Sequence, residues 1–93
     1  MKLWVGKEKE GRLRGVYTLF VGSEEVTYEK IKKVLNKYNT VKQIYFGAGI
    51  CTPINYKVLE SCVKYIKNII ITAEIRLGDL KHFPRRVLNK IFL

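Results

Sequence analysis

The residues best placed to do chemistry lie together in Gln43-Ile44-Tyr45-Phe46-Gly47-Ala48-Gly49-Ile50-Cys51-Thr52-Pro53-Ile54-Asn55. An apolar run leads into two glycines, a cysteine and a residue suited to start a helix. Glycines let a backbone turn tightly and approach a ligand, and a helix start favours an anion. Glu74 closes the next apolar run, where a carboxylate could meet the hydroxyls of a bound ribose. Gly47, Gly49, Cys51, Thr52, Asn55 and Glu74 therefore form a candidate set for a nucleotide-type ligand. Two features oppose it. Thr52 stands where a third glycine is expected, and Pro53 removes an N–H donor. The plainer reading is that both glycines only serve the turn.

Other chemistries fare less well. Cys51 just ahead of a helix start has the setting that lowers a thiol pKa. A nucleophile also needs a base or an anion-binding group, and His82 is far along the chain, so no catalytic residue is assigned. Two cysteines, one histidine and no CxxC pair leave too few ligands for a structural zinc. Glu24, Glu25 and Glu74 lack a metal-binding spacing, and acids near helix starts are expected from the helix dipole. No metal is assigned, and no cofactor is specified.

Charge points elsewhere. Eighteen Lys and Arg oppose eight Asp and Glu, giving +10 over 93 residues. Such a surplus attracts polyanions. The arginine pairs Arg12/Arg14 and Arg85/Arg86 are the most telling, because guanidinium binds phosphate in a bidentate fashion. With Lys81 and Lys90 they make the candidate nucleic-acid set. Tyr17, Tyr28, Tyr56 and Tyr65 could add stacking surfaces. Lys30, Lys33 and Lys37 line one helix face, where a solvated surface explains them as well. The Lys- and Ile-rich composition also suits a thermophile surface. No helix-turn-helix, RNP, KH or zinc-finger pattern is present.

These residues need elements to hold them. Residues 3–5 and 16–21 are expected as strands of an N-terminal hairpin, with Arg12 and Arg14 sharing one face of an extended segment and Gly15 at a bulge. Thr27 should cap a helix carrying Ile31, Val34, Leu35 and Tyr38 inward and ending at Asn39. Ile44–Phe46 is a second buried strand. Asn55 should cap a second helix with Leu59, Cys62, Val63 and Ile66 inward, ending at Asn68. Cys62 there acts as a small hydrophobe. Ile69–Ile71 is a third strand. Leu19, Ile44 and Ile69 open similar apolar runs at constant spacing, so three βα steps are expected rather than a solenoid. Gly78-Asp79 reads as a turn. Pro84 opens a last helix with Val87, Leu88 and Ile91 inward, and Ile91-Phe92-Leu93 either packs back on the sheet or meets a second copy.

The fold expected is a single α/β domain over residues 1–93, of two or three layers. It would have three parallel strands in βαβαβ order, an N-terminal hairpin strand and a C-terminal helix. The function expected is a small basic binding protein, not an enzyme, contacting RNA or DNA phosphates. The alternatives are a Rossmann-like module binding a nucleotide-type ligand at Gly47-Ala48-Gly49, and an assembly subunit that dimerises through the C-terminal tail. No run reaches the roughly 18 apolar residues of a membrane span, and the N-terminus lacks a signal-peptide core, so a cytoplasmic protein without a membrane partner is expected.

Overall fold

A computed structural model describes residues 3–22, 26–47, 56–75 and 77–92 of the chain. It is a mixed α/β structure. Strand β1 (Leu3–Lys7) pairs antiparallel with β2 (Tyr17–Val21). Helix α1 (Tyr28–Lys37) precedes β3 (Gln43–Phe46), and α2 (Tyr56–Tyr65) precedes β4 (Ile70–Ala73). A 3-10 helix (Leu77–His82) and the one-turn α3 (Arg85–Leu88) lead to the two-residue β5 (Ile91–Phe92). The sheet runs β1-β2-β3-β4-β5, with every pair after the first parallel.

Register explains how one side of this sheet becomes the core. Side chains alternate along a strand, so one face collects Leu3, Val21, Phe46 and Ala73 in one cross-strand row. Val5, Leu19, Ile44, Ile71 and Ile91 form the next row. Those rows meet Ile31 from α1, Leu59, Cys62 and Ile66 from α2, and Phe83 and Val87 from the last helical segment, in one buried cluster. All the described helices therefore cover the same side. Burying a side chain of the Leu or Phe class contributes roughly 1.5–3 kcal/mol, so this cluster is the main source of stability.

The second face is different. It holds Thr18, Gln43 and Thr72, all buried, beside Trp4, Phe20 and Tyr45. The polar groups satisfy one another. Gln43 Nε2 donates to Thr18 Oγ1 at 2.7 Å, and Thr72 Oγ1 donates to Gln43 Oε1 at 2.6 Å. Thr18 Oγ1 in turn donates to the Val16 carbonyl at 3.0 Å.

Several local expectations are revised. Arg12-Leu13-Arg14 is a tight turn, not an extended segment: Arg14 N–H donates to Gly11 O and Val16 N–H to Leu13 O. Gly11 and Gly15 take φ of 80° and 84°, a left-handed backbone that favours glycine. Gly15 N–H donates to Glu8 O while Glu8 N–H donates to Val16 O, so Gly15 and Val16 together oppose Glu8 and Gly15 does mark a bulge. Thr27 does cap α1, accepting from Lys30 N–H at 3.3 Å, but the helix stops at Lys37 with Tyr38 as its cap. Helix α2 likewise stops at Tyr65, and Asn68, at φ 64°, turns the chain into β4. Gly78-Asp79 lies inside the 3-10 helix. Pro84 sits at the N-cap of α3. Ile91 leaves that helix and packs on the sheet beside Ile71.

Candidate nucleic-acid interface

The helix layer holds most of the excess positive charge. Helix α1 exposes Lys30, Lys32, Lys33 and Lys37, and α2 with its following turn exposes Lys57, Lys64 and Lys67. The last segment adds Lys81, Arg85, Arg86 and Lys90, all exposed. The described acids in this layer are Glu29, Glu60 and Asp79.

These cations converge at one place. Between α2 and α3 lies a cleft of about 380 Å³ lined by Glu60, Val63, Lys64, Lys67, Arg86, Val87 and Lys90. The spacing of α2 makes its near wall: residues 60, 63, 64 and 67 share one face of a helix and its exit turn. Buried Val87 anchors α3, so the turns around it place Arg86 and Lys90 on the far wall. Four cations thus face one described acid. That acid is engaged, since Arg86 Nη2 lies 2.8 Å from Glu60 Oε2. With the Arg86 side chain 73% exposed, the pair adds only about 0.5 kcal/mol to stability. Its larger effect is to fix the guanidinium at the mouth of the cleft.

An aromatic ring stands beside these charges. Tyr65 ends α2 with 58% of its surface exposed. Lys64 Nζ lies 5.2 Å from its centroid, and the Tyr28 ring is tilted against it at 6.0 Å. Loss of hydration is the first cause raising the Tyr28 hydroxyl above its ordinary pKa, with Cys62, Tyr65 and Glu29 adding to it. Tyr28 therefore stays a neutral hydroxyl at physiological pH.

The structure divides the residues expected from the sequence. Arg86 and Lys90 meet at the cleft; Lys81 and Arg85 are exposed on the same segment without lining it. Arg12 lies on the other side of the molecule, against the open sheet face, where a groove of about 280 Å³ holds it with Glu8, Glu10, Gln43, Tyr45 and Glu74. Arg14, in the same hairpin turn, is exposed. The two arginine pairs do not share a surface. Lys64 and Lys67 were missed, although their spacing with Glu60 and Val63 on one helical stripe was there to be read.

Of the nucleotide-type set, Gly49, Cys51, Thr52 and Asn55 lie outside the described residues. Gly47 is described, and its N–H donates to the Val21 carbonyl at 3.1 Å, so the sheet uses the donor that an anion would need. A Cβ at Gly47 would sit 3.6 Å from that carbonyl, an ordinary contact, so close packing does not require glycine there. Glu74 is exposed at the end of β4. Cys62 is buried, and burial pushes its thiol up to about 12, which removes it as a nucleophile near neutral pH. Among the described residues no three His, Cys, Asp or Glu side chains gather to hold a metal, and no helix is long and apolar enough to cross a membrane.

No protein-family model matches the chain, and neither the curated proteins nor the solved structures contain a match.

Proposed function

We propose that this chain is a non-enzymatic nucleic-acid-binding domain that holds phosphates in the cleft between α2 and α3. The observation that carries this reading is the convergence of Lys64, Lys67, Arg86 and Lys90 on a cleft with one described acid. Lysine supplies point charges for the backbone, and Arg86, oriented by Glu60, supplies a planar fork. Tyr65, exposed beside Lys64, supports nucleic acid over other polyanions because a base can stack on its ring. Lys81 and Arg85 extend the contact along the same segment, for RNA or DNA alike. Treating β2 to β4 with α1 and α2 as a βαβαβ unit with right-handed crossovers, and placing the protein in the cytoplasm, belong to the same proposal.

The test is fluorescence anisotropy with labelled single- and double-stranded oligonucleotides over a salt series. Affinity should fall with salt, and Lys64→Gln with Lys67→Gln should weaken binding and reduce the slope of log K against log salt by about 2. Absence of binding at low salt, or a slope that the double variant leaves unchanged, would refute the proposal.

A further inference from the structure

The sheet face opposite the helices carries a row of rings on neighbouring strands. Trp4, Phe20 and Tyr45 are register partners across β1, β2 and β3. Trp4 and Ile70 on this face are each 39% exposed. Among the described residues no helix covers the row, so it is an apolar surface in need of an occupant.

Two observations identify that occupant. The first is ring geometry. Trp4 and Phe20 stack on each other, centroids 5.3 Å apart and planes 11° apart, and Tyr45 is tilted against Phe20 at 5.9 Å. One face of Trp4 and one face of Phe20 are thus already taken up within the row. Such a row suits interdigitation with side chains of another sheet. The second is charge. The chain carries +10, yet the groove along this face is bordered by Glu8, Glu10 and Glu74 with Arg12, and Lys7 and Lys9 line its Trp4 side. That rim balances acids against cations, so it draws phosphate less than the helix layer does. It is also the surface where two copies of a strongly basic chain meet with least repulsion, and a rim of both signs is self-complementary under a two-fold axis.

We propose that the open sheet face is a homodimer interface, closed by a second copy of this chain packing sheet against sheet through Trp4, Phe20, Tyr45 and Ile70. The proposal is independent of the nucleic-acid reading, because it uses the other face of the molecule.

The test is sedimentation over a concentration series, read together with the emission of Trp4, the single tryptophan of the chain. The mass should rise from 10.9 kDa toward twice that value, and Trp4 emission should shift to the blue over the same range. Tyr45→Glu, and separately the exposed Ile70→Lys, should move the midpoint at least about tenfold upward in concentration. A cooperative thermal transition identifies which variant remains folded, and Lys64→Gln should leave the midpoint where it is. A monomer up to about 1 mM would overturn the proposal. So would a dimer indifferent to the folded variants, or an oligonucleotide that quenches Trp4 while dissolving the dimer.

Discussion

Cys62 shows how burial decides the chemistry of a single side chain. Its thiol is buried against the sheet, and its pKa rises from 9.0 to about 12 because the thiolate would lose its hydration. Folding therefore favours the protonated thiol. The associated stability is fully present below pH 9, where the unfolded thiol begins to ionise, and is lost as pH climbs toward 12. The slope reaches about 1.4 kcal/mol per pH unit. Urea unfolding at stepped pH should show that decline, and Cys62→Ala should flatten it while costing about 1 kcal/mol of cavity at neutral pH. In a Cys51→Ser background, Cys62 should react with a thiol reagent only as fast as the protein unfolds. Gln43 makes a second residue-scale case. It joins Thr18 on β2 to Thr72 on β4, so Gln43→Ala removes a partner from two buried hydroxyls at once. A loss of about 2–3 kcal/mol in denaturant unfolding is expected.

At the scale of elements, the sequence was legible where periodicity was strong and local. The α1 stripe of Ile31, Val34, Leu35 and Tyr38 led to a real helix with its Thr27 cap, and Thr27→Ala should cost about 1 kcal/mol in thermal unfolding. The apolar triplets at Leu19, Ile44 and Ile69 marked adjacent parallel strands. The hairpin loop was misread because Arg-Leu-Arg alternates like a strand, while the left-handed glycines on either side fold it into a turn. Ile91 was assigned to a helix stripe because a one-turn helix is too short for periodicity to mark its end. The helix-layer cleft was half legible: Arg86 and Lys90 stood out, but Lys64 and Lys67 gain meaning only when α3 packs against α2. The aromatic row was not legible at all, since Trp4, Phe20 and Tyr45 become neighbours only through strand register.

On the scale of the whole molecule, the two faces differ in chemistry, and each is proposed to serve a separate task. The helix layer gathers cations around the α2–α3 cleft, while the open sheet face is apolar with a rim of both signs. A dimer closed through the sheet faces would turn two basic helix layers outward, so one nucleic acid strand could be held twice, or two strands bridged. The central claim is the place of phosphate binding, and amide chemical-shift mapping during titration with a short oligonucleotide tests it most directly. The largest shifts should fall on Lys64, Tyr65, Lys67, Arg86 and Lys90. Shifts centred instead on Trp4, Phe20 and Tyr45, on the Arg12–Arg14 turn, or nowhere at low salt would contradict it.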